Sequence, residues 1–122
     1  MMLIIVRKDQ SKIVMGLLSY SPNLTDIVAV QREYDWYQSD DNRDILLWRD
    51  ENTHHFTVLL GVASVYNSVV IRRIVFSPEV RHDQKLELGS KIYQALQYQY
   101  PDQVIMGSIA TQKYVTKWRD MQ

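Results

Sequence analysis

Two rhythms of apolar residues run along the chain. Val69, Val70 and Ile71, then Ile74, Val75 and Phe76, make a β-branched and aromatic run that predicts a buried strand. Ser77-Pro78-Glu79 ends it, because Pro78 cannot donate to a ladder and restricts Ser77. Similar runs predict strands over residues 3–6, 44–49, 55–65 and 103–106. Gly61, inside the longest of them, marks a bulge or a close backbone approach. Elsewhere the spacing is helical. Ile13, Val14, Leu17 and Leu18 fit a short helix capped by Ser11 and stopped near Ser19. Leu24, Ile27, Val28, Gln31 and Tyr34 fit a second helix, with Ser21 as its cap, Pro22 at its first position, Asp26 in its first turn and its end near Tyr37. A third begins near Gln84 and carries Ile92, Tyr93 and Leu96, and a fourth covers 109–118.

The order of these elements constrains the topology. Three consecutive strands, joined by turns at 50–53 and 66–68, predict an antiparallel meander. One helix separates the strand ending at Phe76 from the strand at 103–106. A parallel, right-handed crossover follows, with the two strands splaying apart at their C-terminal ends. No repeat, linker or low-complexity stretch interrupts the 122 residues, so residues 1–122 read as a single domain.

Composition narrows the function classes. Hydrophobic residues make up 46% of the sequence, enough for a packed core. Fourteen basic and fourteen acidic residues cancel, which argues against non-specific binding to nucleic acid or to an acidic membrane. The sequence has no cysteine, and that excludes disulfides, thiolate catalysis and Cys-based zinc sites. The apolar start is cut short by Arg7, Lys8 and Asp9, too soon for a signal segment or a membrane span, which points to the cytosol.

Little of the polar chemistry clusters. Adjacent residues of an extended segment face opposite ways, so His54 and His55 cannot chelate one metal, and His82 alone does not make a site. The same alternation puts Arg72 and Arg73 on opposite faces, one solvated and one in a surface ion pair. Tyr34, Trp36 and Tyr37 read as core aromatics at helical spacing. The segment from Gln84 to Ser90 reads as a loop opening a helix, where free N–H groups and the helix dipole can hold phosphate.

Specific residues then resemble the GNAT superfamily of acetyl-CoA-dependent acyltransferases. Phe76-Ser77-Pro78 is similar to that family's strand end. Gln84-Lys85-Leu86-Glu87-Leu88-Gly89 is similar to its Q/R-x-x-G-x-G/A loop, and Ile92 and Leu96 to the helix that follows. Met15-Gly16-Leu17-Leu18-Ser19-Tyr20, Leu46-Leu47-Trp48 and Gln103-Val104-Ile105 resemble small members of the family found with riboflavin biosynthesis genes. The resemblance implies an α+β fold, a mixed and mostly antiparallel sheet with helices on both faces, truncated at its C-terminal end. It implies acyl transfer from acetyl-CoA to a small-molecule or protein amine. Backbone groups of Ile74 and Phe76 would hold the pantetheine. N–H groups of Gln84, Lys85, Leu86, Glu87, Leu88, Gly89 and Ser90 would hold the pyrophosphate. Tyr114 would be the acid, although its own place on the last helix reads more readily as a core aromatic, and no base is assigned.

Three departures from the family pattern matter. Several extra residues separate Pro78 from Gln84, and Tyr114-Val115 stands where the family often has Phe-Tyr. Glu87 occupies the first loop glycine, and its charge is expected to oppose an anion, with Glu87→Gly tightening cofactor binding about tenfold. Glu87 and the missing closing strands fit instead a non-enzymatic module with a regulatory or interaction role. The uncovered sheet edge is expected to pair two copies into a homodimer.

Overall fold

The computed structural model describes residues 3–5 and 10–122. Its elements are β1 (Leu3–Ile5), α1 (Ser11–Leu18), α2 (Ile27–Gln38), β2 (Arg43–Arg49), β3 (Phe56–Val65), β4 (Ser68–Phe76), a 3-10 turn (His82–Gln84), α3 (Lys85–Gln99), β5 (Val104–Gly107) and α4 (Gln112–Asp120). One five-stranded sheet has the order β1-β2-β3-β4-β5. The first three pairings are antiparallel, and β4–β5 is parallel, as the single intervening helix requires. Val6, the last residue of the expected first strand, lies outside the described residues.

Both faces of the sheet are covered. Val14, Leu17 and Leu18 of α1 and Val30 and Tyr37 of α2 pack on Ile45, Leu47, Leu59 and Val75. Ile92, Tyr93 and Leu96 of α3 and Val115 and Trp118 of α4 pack on Leu46, Leu60, Val62, Val69, Ile71 and Ile105. The alternation along β2 and β3 therefore sorts side chains between two cores, which is why these strands read as continuous apolar runs.

Three helix starts differ from the sequence expectation. Ser11 is the first residue of α1 and follows Gln10, with no side-chain cap. Asp26, not Ser21, caps α2, and its Oδ1 accepts from the Ala29 N–H at 2.8 Å. Ser21 is diverted to a tertiary network described below, so Pro22 lies in a loop. The last helix starts at Gln112, because the Thr111 hydroxyl donates to the Ile71 carbonyl and accepts from the Ser108 N–H, holding 108–111 in a turn. Among the described residues, no helix is long and apolar enough to cross a membrane.

The expected irregularity at Gly61 is present. Gly61 pairs with Arg73 and Val62 with Ile71, so Arg72 is an extra residue on β4. A Cβ at Gly61 would lie 2.1 Å from the Tyr37 hydroxyl, so glycine is needed where that ring crosses the bulge. The phenol itself is buried without a well-directed hydrogen bond, and its pKa is pushed up to about 12 by burial and then by the Glu33 carboxylate.

Half-burial raises the pKa of the Asp44 carboxyl, and the Asp41 carboxylate adds to it. An acid whose pKa rises on folding destabilises the fold once it ionises. That penalty sets in as pH climbs through the unfolded value near 4 and persists above the folded value. Asp44→Asn is therefore expected to raise Tm at pH 7 and to change it little at pH 3, which thermal melts at the two pH values check.

Candidate active site

Pairing between β4 and β5 stops at Ile71 and Gly107, and the Ser108 N–H makes the last contact across the gap, to the Ile71 carbonyl at 3.1 Å. β4 runs on to Phe76 with no strand paired to it on that side among the described residues. β5 is paired along its whole length and simply ends beside Ile71, so the opening next to residues 72–76 comes from the shorter strand, and the β4 backbone that borders it has a definite orientation. The Ser77 N–H donates to the Thr57 carbonyl at 2.8 Å, toward β3. In an antiparallel ladder alternate residues face the same neighbour, so Val75 and Arg73 turn to β3 as well. The N–H and C=O groups of Ile74 and Phe76 point the other way, into the gap. The bulge at Arg72 makes this switch, since without the extra residue the parity that serves Ile71 and β5 would continue to the strand end.

The side chains follow the same shift. Arg72 reaches α2, with its guanidinium carbon 4.0 Å from the Trp36 ring centroid, and Arg73 also reaches α2, with Nε 3.0 Å from Glu33 Oε1. Consecutive arginines thus lie on one face, contrary to simple alternation. Arg73 also donates to the Ser21 hydroxyl at 2.6 Å and to Asn23 Oδ1 at 2.8 Å, and fastens the α1–α2 loop to β4.

A cleft of about 400 Å³ occupies the gap. Its floor is Ile74, Val75 and Phe76, one wall is Tyr20, Ser21 and Pro22, and the other is His82, Lys85 and Tyr114. Lys85 Nζ sits 5.3 Å from the Phe76 ring centroid. Tyr114 is 45% exposed, so it is a wall residue of the cleft and not a core aromatic.

The segment read as a loop is mostly helix. Lys85 to Ser90 are the opening residues of α3, and an α-helix engages the N–H groups of Gly89 and Ser90 within its own ladder. Gly89 has a packing role, since a Cβ there would come 2.0 Å from Trp118 Nε1. Gln84, Glu87 and Leu88 line a second cleft, of about 300 Å³, with Asp50, Thr57, Glu79 and Lys91. Glu87 Oε1 is 3.9 Å from Lys91 Nζ in that second cleft, and the pair is largely exposed. Leu86 is exposed, and only Lys85 of the segment lines the first cleft. Tyr20, Ser21, Pro22 and His82 were not legible as cleft residues. Their only sequence signal was a proline-containing loop and a lone histidine.

A curated relative, an uncharacterized N-acetyltransferase of the lysA 3' region of Bacillus methanolicus, is 32% identical over 117 residues, which cover 95% of this chain and 93% of that protein. The chain belongs to the GNAT superfamily of acetyltransferases. No protein-family model matches the sequence. Solved structures show the same GNAT architecture at lower identity. A GNAT family acetyltransferase of Staphylococcus aureus superposes with a TM-score of 0.62 at 14% identity, covering 88% of this chain and 87% of that one. Spermidine N-acetyltransferase of Vibrio cholerae, in complex with CoA and spermine, gives 0.62 at 11% identity, covering 97% and 76%. The GNAT fold expected from the sequence is thus the fold observed, with a parallel β4–β5 pair.

Proposed function

We propose that this GNAT protein transfers an acyl group from acetyl-CoA to an amine in the cleft where β4 runs past the end of β5. One observation carries the reading: Ile74 and Phe76 turn unpaired N–H and C=O groups into an apolar cleft that also gathers Lys85, His82 and Tyr114. A pantetheine arm is a short chain of amides, and an exposed strand edge satisfies it as another strand would. At the start of α3 the Gln84 and Lys85 N–H groups are held by the Arg81 and His82 carbonyls, which leaves those of Leu86 and Glu87 for the pyrophosphate, with the Lys85 ammonium and the His82 ring as neighbours. Bound acetyl-CoA supplies an acyl thioester and departs as the thiol. Tyr114 is the lining hydroxyl we assign to protonate the departing sulfur. Among the described residues no carboxylate lines the cleft, so an acceptor amine enters neutral or loses its proton through water.

Glu87 does not stand against this reading, because its carboxylate is turned to Lys91 and the second cleft. Glu87→Gly is expected to leave acetyl-CoA affinity within about twofold. It is also expected to cost about 1 kcal/mol of stability through helix propensity. Calorimetry and thermal melts on the pair of proteins measure both. Calorimetric titration of the wild type with acetyl-CoA tests the function itself. One-to-one binding at micromolar affinity is expected, and no binding would leave the interaction-module reading in its place.

Within the family we infer a kinship with RibT, the small GNAT-like protein found with riboflavin biosynthesis genes, on the motifs 15–20, 46–48 and 103–105 quoted above. We also infer a homodimer. β5 is an edge strand, and its Val104 and Met106 are exposed on a part of the sheet that α1 and α2 do not cover. Sedimentation at micromolar concentration is expected to give twice the 14.4 kDa chain mass, and a monomer would contradict it.

A further inference from the structure

We infer that the cleft beside Trp36 binds an oxyanion, carboxylate or phosphate, carried by the acceptor amine. The inference rests on the acyltransferase reading for the word acceptor, and on independent observations for the anion.

The cleft, about 320 Å³ and shallow, is lined by Ala29, Arg32, Glu33, Trp36 and Arg72. Arg72 is the extra residue of the β4 bulge, the device that re-aims a side chain beside an active site. Its guanidinium lies 4.0 Å from the Trp36 centroid, and that of Arg43 lies 3.8 Å from the same centroid. Two planar cations that close to one centroid cannot share a face, so the indole is sandwiched between them. The contact with the indole restrains the Arg72 guanidinium without using its N–H groups.

Among the described residues Arg72 makes no ion pair and no hydrogen bond, and Arg32, one helical turn before Trp36, makes none either. Among the described residues the one carboxylate lining the cleft, Glu33, is occupied by Arg73 at 3.0 Å. The result is a preorganised pair of unpartnered guanidinium groups with their nearest acid neutralised, the arrangement that takes a carboxylate or phosphate bidentately.

Its position fits an acceptor. Arg73 bridges Glu33 of this cleft to Ser21 of the acyl-transfer cleft, so one chain of hydrogen bonds links the two. Arg72 and Ile74 are two residues apart on β4, about 7 Å along the strand. A small amine bearing an anionic group can therefore place its anion on Arg72 and its nitrogen in the acyl-transfer cleft.

The test follows the Trp36 indole N–H by NMR, assigned with Trp36→Phe, during titration with phosphoethanolamine, ethanolamine, L-lysine and cadaverine. Phosphoethanolamine and L-lysine are expected to shift the resonance saturably, each at least about tenfold tighter than its partner lacking the anion, the worth of one charge-assisted bond. Arg72→Ala is expected to abolish the difference, Arg72→Lys to restore part of it, and Arg32→Ala to weaken it. Acetyl-CoA affinity by calorimetry should stay within about twofold in all three variants. A Trp36 resonance that does not respond, or responds equally to both members of each pair, overturns the inference even where acetyl-CoA binds. A responding Trp36 without acetyl-CoA binding keeps the anion site and defeats the acyltransferase reading instead.

Discussion

Gly89→Ala is expected to destabilise the protein by about 2–3 kcal/mol, a fall in Tm of roughly 10 °C. Alanine in an exposed helix interior would ordinarily stabilise by about 1 kcal/mol, so the sign itself is diagnostic. At Gly89 the new Cβ would sit 2.0 to 2.5 Å from Nε1, Cε2 and Cδ1 of Trp118. That indole is 3% exposed, packed among Val115, Ile92 and Leu96, and has no free volume to enter. The α3–α4 contact must open, and α4 carries Tyr114 into the acyl-transfer cleft. In a Trp118→Leu background the same alanine should cost much less, and a double-mutant cycle on the two positions measures the coupling.

Arg73→Ala is expected to cost about 2 kcal/mol, below the value for a fully buried pair because the Arg73 and Glu33 side chains keep 15% and 20% exposure. The loss comes less from the charge pair itself than from what is left behind. Glu33 faces the sheet without its cation, and Ser21 and Asn23 lose the donor that holds the α1–α2 loop to β4. Glu33→Gln, which keeps an acceptor for Arg73 Nε, should cost less than half as much. Denaturant melts of both variants check the order.

Much of the fold could be read from local pattern. The meander, the parallel crossover and the irregular Gly61 follow from β-branched runs, one intervening helix and a glycine where a side chain should pack. What escaped was set by contacts distant in sequence. Ser21-Pro22 carries a good helix-start signature, but Arg73, fifty-two residues away, takes the Ser21 hydroxyl and leaves the capping to Asp26. Arg72 and Arg73 share a face because the bulge is a property of the β3–β4 pairing, and no single strand's periodicity contains it. Glu87, expected in the first turn of α3, looked like an obstacle to phosphate because sequence alone does not say which way its carboxylate turns. In the structure its direction is fixed by the turn, and Lys91 one turn on receives it. Ile74, Phe76, Lys85 and Tyr114 converge on one cleft, whereas the family pattern that named them gave no sign that Gln84, Glu87 and Leu88 face another.

The most direct measurement is backbone amide NMR of the protein on addition of acetyl-CoA. Two clefts flank the start of α3, and the account places the ligand in one of them. The largest shifts are predicted at Ile74, Phe76 and Lys85, with the amides around Glu79, Val80 and Lys91 little changed. Shifts centred on Glu79, Val80 and Lys91, with Ile74 and Phe76 unmoved, would contradict it.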